Sequence, residues 1–137
     1  MYSYYHKAYA TAPKGSAVEN LVVAYDSMLE ILQHISEYYE KNIKGKEDQI
    51  ILLFNDDGYK QYIAYLDKLL KIVNALQNSL VNRDNNYREE YEAMLNIYRN
   101  ATNMILSLRY NNKQENMQII ERLIAHFTDL RDYIITL

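Results

Sequence analysis

The stretch SAVENLVVAYDSMLEILQHISEYYEKN, residues 16–42, decides the fold class of this chain. It opens with Ser16-Ala-Val-Glu19, which has the spacing of a helix capping box. Apolar residues then recur at intervals of three and four, the stripe of an amphipathic helix. These residues are Leu21, Val22, Tyr25, Met28, Leu29, Leu32, Ile35 and Tyr39. The pattern predicts a helix that starts at Ser16, runs to about residue 42 and buries one face.

The same spacing returns three times further along the chain, with polar clusters such as VNRDNN at 81–86 between the stripes. We therefore expect three more helices, over about 57–81, 87–110 and 113–136. Four amphipathic helices can bury their apolar faces only against each other, which predicts an all-α, antiparallel four-helix bundle. Only three glycines and one proline punctuate the chain, and that scarcity favours long helices. The expected organisation is one domain over residues 1–137, with residues 1–15 as a short N-terminal docking segment.

The connection near Lys41–Asn55 is longer than the others and contains IILLF at 50–54. These five residues could form a strand by propensity, but a single strand has no partner in this sequence, so an additional helical turn is favoured. The run is too apolar to remain in solvent as a plain loop. We expect it to pack against the bundle as a short helix or a helix extension.

Charge and composition exclude several classes of function. A formal net charge of −3 without any basic run speaks against nucleic acid as a partner. No cysteine is present, which excludes disulfides and sulfur-based metal sites and fits a reducing cytoplasm. No apolar run approaches the roughly 20 residues that span a bilayer, so membrane insertion is not expected. The expected location is the cytoplasm.

Catalytic and metal-binding motifs are not found. The sequence has no glycine-rich phosphate loop, no Gly-x-Ser-x-Gly elbow and no His-Glu-x-x-His helix. The three histidines, His6, His34 and His126, lie in three different segments, and no Glu-x-x-His pair of the di-iron bundles occurs. We therefore predict no catalytic residue, no metal, no cofactor and no enzymatic activity.

Tyrosine is the unusual component, with fifteen residues against two phenylalanines and no tryptophan. Four of them, Tyr2, Tyr4, Tyr5 and Tyr9, precede any segment that could build a core. Because a tyrosine ring covers apolar area while its hydroxyl stays in water, these rings could simply line the edges of the bundle. Together with methionines on or beside the stripes, they could also form an adaptable surface for an apolar helix.

The order of these features resembles the family of flagellin-specific export chaperones, known as FliS. The resemblance covers most of the chain and rests on four stretches. They are the tyrosine-rich start with Ala8-Tyr9, SAVENLVVAYDSML with Tyr25-Asp26, KLLKIVNALQNSLVNR, and the ending YNNKQENMQIIERLIAHFTDLRDYI. The chain departs from the family pattern at Ala17 and Ser27, where the family usually has proline and glycine, and in the extra residues of the first connection.

The resemblance implies a cytoplasmic helical bundle that binds the disordered C-terminal segment of flagellin. It also implies that the bundle prevents premature polymerisation and delivers subunits to components of the type III export gate. The alternative is a helical-bundle adaptor or secretion chaperone for a different client protein.

The resemblance further suggests that the N-terminal segment covers a client groove and leaves it through a short tether containing Pro13 and Gly15. A tail that stays docked permanently is the competing interpretation. The residues expected to bind the partner or cover the groove are Tyr5, Tyr9, Tyr25, Met28, Tyr91, Met94 and Tyr98.

Overall fold

The computed structural model describes residues 3–8, 15–40, 57–80, 87–110 and 113–137. This part of the chain contains five α-helices and no strand, so the all-helical prediction is confirmed. The helices are α1 (Ser3–Ala8), α2 (Gly15–Tyr38), α3 (Asp57–Asn78), α4 (Arg88–Ser107) and α5 (Lys113–Ile135). A wider, π-type turn at Tyr39 and Glu40 follows α2.

Two sequence expectations differ from these bounds. Helix α2 begins at Gly15, so Ser16 lies in its first turn and is not the N-cap that the capping box predicted. Residues 3–8 form a helix of their own, α1, within the predicted docking segment. The expected packing of Ile50–Phe54 lies outside the described residues, as does Tyr9.

The long helices turn their apolar stripes inward. Helix α2 packs against α3 and α5, α3 also packs against α4, and α4 contacts α5 and the short α1. Fully buried residues of α2 to α5 share one core. Examples from successive helices are Leu32, Leu66, Ile105 and Phe127. Burial of such side chains, at roughly 1.5–3 kcal/mol each, is the main term that holds the helices together.

The tyrosines are more deeply buried than the expectation of bundle-edge rings allowed, which corrects that interpretation. Eight described tyrosines are buried: Tyr4, Tyr5, Tyr25, Tyr38, Tyr39, Tyr59, Tyr62 and Tyr98. A buried phenolic hydroxyl needs a hydrogen-bond partner, because removing it from water without one costs free energy. The hydroxyls of Tyr5, Tyr25 and Tyr62 bond to groups of other helices or helix ends, which a single helical stripe does not reveal.

One group of buried tyrosines, which we call the distal cluster, joins the C-terminal end of α2 to the start of α3. It comprises Tyr38, Tyr39, Tyr62 and the buried Asn116 of α5. The rings of Tyr38 and Tyr62 stack with centroids 5.2 Å apart, and Tyr39 meets Tyr62 edge-on at 5.5 Å. The cluster therefore connects three helices.

The distal cluster also satisfies the end of α4. The hydroxyl of Tyr62 donates a hydrogen bond to the carbonyl oxygen of Leu108, and the Asn116 amide donates to the same oxygen at 3.1 Å. Carbonyls at a helix C-terminus have no partner within the helix, so these two side chains supply what the helix lacks. Asn116 donates a further hydrogen bond to the Tyr39 hydroxyl. Burial raises the pKa of both Tyr39 and Tyr62 above the ordinary value, because the charged phenolate would lose its hydration.

Candidate partner-binding site

The short helix α1 lies against α4 through aromatic rings. Tyr4 contacts Tyr87 edge-on with centroids 5.7 Å apart, and its ring centroid lies 6.2 Å from that of Tyr91. Within α1, Tyr4 also meets Tyr5 edge-on at 5.1 Å. Tyr4 and Tyr5 are both buried, whereas Tyr87 and Tyr91 are half-buried. The contact is therefore a small aromatic interface between the N-terminal segment and the first half of α4.

A chain of hydroxyl groups, which we call the tyrosine triad, links α1 to two long helices. The hydroxyl of Tyr98 on α4 is hydrogen-bonded to the hydroxyl of Tyr5 on α1 and, at 2.7 Å, to that of Tyr25 on α2. All three rings are buried, and Tyr25 packs edge-on against Phe127 of α5 at 5.9 Å. Phenylalanine would fill the same space, but tyrosine adds hydroxyl bonds that satisfy one another within an apolar interior.

An ion pair at the surface completes the α1 contact. The Lys7 ammonium donates a hydrogen bond to the Glu90 carboxylate of α4. This hydrogen bond from Lys7 holds the pKa of Glu90 below its ordinary value. Exposed pairs of this kind contribute little to stability, so the pair orients α1 more than it anchors it.

The structure brings together three of the seven residues that the sequence predicted for partner binding or groove covering, since Tyr5, Tyr25 and Tyr98 form the triad. Tyr91 is near them through its contact with Tyr4. The remaining three predicted residues are Met28, Met94 and Tyr9. Met28 and Met94 are fully buried in the core, one helical turn from Tyr25 and Tyr98, and Tyr9 lies outside the described residues.

Sequence reasoning missed the Lys7–Glu90 pair and Tyr87. A signal exists for Lys7, because it stands three residues after Tyr4 and thus on the same face of a helix. That signal is readable only if residues 3–8 are helical, and six residues are too few for helical periodicity to be recognised.

Two grooves run between neighbouring long helices. The α2/α3 groove has a volume of about 510 Å³ and is lined mainly by small and aliphatic side chains. The α4/α5 groove, about 370 Å³, has apolar walls with polar groups at its rim. Its polar residues are Asn100, Arg122, His126 and Asp129. Grooves with apolar floors and charged rims are the shape that accepts an amphipathic helix.

The described ranges contain histidine and carboxylate side chains, which are common metal ligands. Among these residues, no three His, Cys, Asp or Glu side chains are grouped so that they could hold a metal ion. None of the described helices is both long and apolar enough to cross a membrane.

Comparisons with protein-family models, with curated proteins and with solved structures find no match to this chain.

Proposed function

We propose that this protein is a cytoplasmic, non-enzymatic export chaperone that binds the C-terminal segment of flagellin. By occupying that segment it would prevent premature polymerisation and assist type III export of the subunit. The sequence resemblance supplies the client. The observation that carries the proposal is the docking of α1 on α4, because a short helical segment there occupies a position that a helix of another chain can take.

Several features make α1 replaceable. With six residues it is far below the roughly 12–15 that an isolated helix needs, so it depends on its docking site. Its attachment includes two buried rings, a hydroxyl bond and an exposed ion pair. Its contacts with the long helices are made mainly with α4. A client helix could displace it without unfolding the core.

The surface beneath α1 suits an apolar client. Tyr87 and Tyr91 offer half-buried rings whose polar ends remain near water. A disordered client segment pays its ordering entropy on binding, which burial of its apolar face must offset.

We also propose that α2 to α5 are arranged as an antiparallel four-helix bundle. The contacts α2 to α3, α3 to α4, α4 to α5 and α5 to α2 support a closed ring of neighbours. Contacts at the helix ends support the antiparallel sense. Asn116 near the start of α5 donates a hydrogen bond to Tyr39 just beyond α2, and Tyr62 near the start of α3 bonds to Leu108 just beyond α4.

The direct test is titration of a labelled peptide of the flagellin C-terminal segment with the full-length protein and with a variant lacking residues 1–8. If α1 occupies the client site, only the fraction of molecules with α1 released can bind, and deletion should tighten the apparent affinity. The uncovered surface should also increase self-association. Tyr110→Ala, at a side chain that is 83% exposed, is the control and should bind like the wild type.

Absence of peptide binding by both proteins would contradict the proposal. If the full-length protein instead binds a different secreted protein specifically, the alternative of an adaptor or secretion chaperone with another client is favoured. Unchanged affinity and unchanged self-association after deletion would show that α1 does not cover the client site and is docked as a permanent part of the fold.

A further inference from the structure

The α2/α3 groove is lined by residues of α2 and α3 and by Ser79, and its floor is apolar. Small side chains line it on both helices, which leaves room for a side chain from outside. The lining residues include Ala17, Ala24 and Ser27 of α2 and Ala75 and Ser79 at and just beyond the end of α3. The shape of the groove by itself does not select one kind of helix over another.

An exposed apolar side chain lies next to this groove. Val23 of α2 is 63% exposed, and it lies one helical turn from Asn20 and from Ser27, both of which line the groove. A single exposed valine is ordinary on a protein surface. A branched apolar side chain beside a hole lined by small side chains is, however, the pair of shapes that interlocks in helix packing. One chain therefore carries both halves of a knob-into-hole contact.

The two helices that form the groove carry different charges, and Lys71 is the charged residue among those that line it. Helix α2 contains four carboxylates and no lysine or arginine. They are Glu19, Asp26, Glu30 and Glu37. On α3, Lys68 and Lys71 are exposed, Lys71 lines the groove, and neither forms an ion pair within the described part of the chain. Asp26 is held by Arg131, whereas Glu30, with a side chain that is 76% exposed and 3.8 Å from His34, pairs with no lysine or arginine of the described residues.

The register between the helices aligns these charges. His34 of α2 stacks on Tyr65 of α3 with ring centroids 5.4 Å apart, which fixes one level shared by the two helices. Glu30 lies one turn from His34 toward the groove, with its carboxylate 3.8 Å from the His34 ring, and Lys68 lies one turn from Tyr65 in the same direction. Glu30 and Lys68 are therefore at the same height along the molecule.

We propose that this face is a homodimer interface, in which α2 of each protomer lies along the α2/α3 groove of its partner. A two-fold axis parallel to the groove places the two α2 helices side by side, parallel and in register. Val23 of each protomer then enters the groove of the other. Glu30 of one protomer reaches Lys68 of the other, because both residues lie at the same height. Each contact occurs twice, as a two-fold interface requires.

A second copy fits this face better than an unrelated helix because the exposed valine, the groove, Glu30 and Lys68 belong to the same chain, and Glu30 and Lys68 match in height. The two acidic α2 helices repel each other across the axis, and the lysines of α3 offset that repulsion. No residue of α1 or α4 lines the groove, so the proposed dimer and the proposed client binding use different residues.

The first test is sedimentation equilibrium of the full-length protein over a range of concentrations. The wild type should form a reversible dimer. Val23→Lys should lower the dimer affinity by at least about tenfold, because it places an ammonium group in the partner's apolar groove. Ile135→Lys is the matched control: Ile135 is 50% exposed on α5, outside the groove, and its substitution should leave the affinity unchanged. Both sites are exposed, so neither variant should unfold.

The second test separates a contact between protomers from one within a protomer. Glu30→Lys and Lys68→Glu should each abolish the homodimer, since like charges then meet twice across the interface. A mixture of the two variants should form a heterodimer, because the Glu30→Lys chain carries lysine at both positions and the Lys68→Glu chain carries glutamate at both. Both contacts between two such chains then join opposite charges. A wild type that remains monomeric up to about 1 mM, a dimer that Val23→Lys does not weaken, or a mixture without heterodimer would overturn the proposal.

Discussion

The tyrosine triad and the distal cluster use the same residue type in two different ways. In the distal cluster, Tyr62 bonds to a backbone carbonyl and Tyr39 accepts a hydrogen bond from an asparagine, so the partners are fixed parts of the ends of α4 and α5. In the triad, the hydroxyls of Tyr5, Tyr25 and Tyr98 bond to one another. A hydroxyl can rotate to serve a new partner as donor or acceptor, whereas a helix-end carbonyl cannot.

This difference suggests that the distal cluster keeps a fixed set of hydrogen-bond partners. The tyrosine triad, in contrast, can exchange the partner that α1 provides. If α1 leaves, the Tyr25–Tyr98 hydrogen bond at 2.7 Å can remain. Loss of Tyr62 would remove a ring from the core and a donor from the end of α4. We therefore expect substitutions in the distal cluster to affect global stability, and substitutions around α1 to affect mainly the docking of α1.

The largest effect is expected for Tyr62→Ala. Removal of a fully buried aromatic ring should lower the free energy of unfolding by about 3–5 kcal/mol, because a cavity remains where the ring stacked on Tyr38. Urea unfolding followed by circular dichroism measures the change. Tyr110→Ala should stay within about 0.5 kcal/mol of the wild type, since Tyr110 is 83% exposed. A loss below about 1 kcal/mol for Tyr62→Ala would show that the distal cluster is not a fixed part of the core.

The second effect concerns alkaline pH. The pKa values of Tyr39 and Tyr62 are raised by burial in the fold, so both lose their phenolic protons at a higher pH than the unfolded chain, which releases them near pH 10. The unfolded state then binds fewer protons, and stability falls as pH rises. The contribution of these two groups is fully present below about pH 10, and above it each group that stays protonated lowers the unfolding free energy by about 1.4 kcal/mol per pH unit.

Urea unfolding at several values between about pH 8 and pH 11 measures this slope. Tyr62→Phe should flatten it, because one of the two protonated groups is gone, although its starting stability will be lower by the lost hydrogen bond. An equal slope in the wild type and in Tyr62→Phe would contradict the role assigned to burial.

The same comparison explains what the sequence could and could not predict. The three-and-four spacing of Tyr62, Leu66, Leu69 and Val73 is enough to predict α3, because core burial repeats with the helical period. The capping box at Ser16 misplaced the start of α2 by one residue, since a cap depends on local backbone geometry that sequence spacing does not determine.

The candidate site was less predictable for a physical reason. Tyr5 and Tyr98 are 93 residues apart in the chain, and the bond between their hydroxyls exists only once α1 has packed on α4. Periodicity shows which side of α4 is apolar, but it does not show which buried hydroxyl meets another. It was the aromatic content of the first nine residues, and not a helical pattern, that indicated docking of the N-terminal segment.

A smaller effect is expected at the triad. Tyr98→Phe keeps the ring and removes the hydroxyl that joins Tyr5 to Tyr25. We expect a loss of about 1–2 kcal/mol in the free energy of unfolding, and a larger relative weakening of α1 docking, which hydrogen exchange of the α1 amides measures. Tyr5→Phe is the matched variant and should weaken α1 docking while leaving the Tyr25–Tyr98 bond and global unfolding nearly unchanged. Equal losses of global stability in the two variants would contradict the view of α1 as a separable element.

The smallest effect is expected at the Lys7–Glu90 pair, and it appears as a pH dependence of α1 docking. Because the pKa of Glu90 is lowered by the docked Lys7, the stabilisation is fully present above the ordinary carboxyl value of about 4.5. It is lost as pH falls through the lowered value, when the carboxylate takes up a proton and the ion pair ends. The amide signal of Ala8, followed by NMR from about pH 7 to pH 3, should shift toward its released position in this window. Glu90→Gln removes the titrating group at this position, so the part of the shift that Glu90 causes should disappear. Because the ion pair is also lost, α1 should be docked in a slightly smaller fraction of molecules at every pH. A wild-type shift that survives unchanged in Glu90→Gln would assign the acid sensitivity of α1 to another group and leave the rings of Tyr4 and Tyr5 as the contacts that hold it.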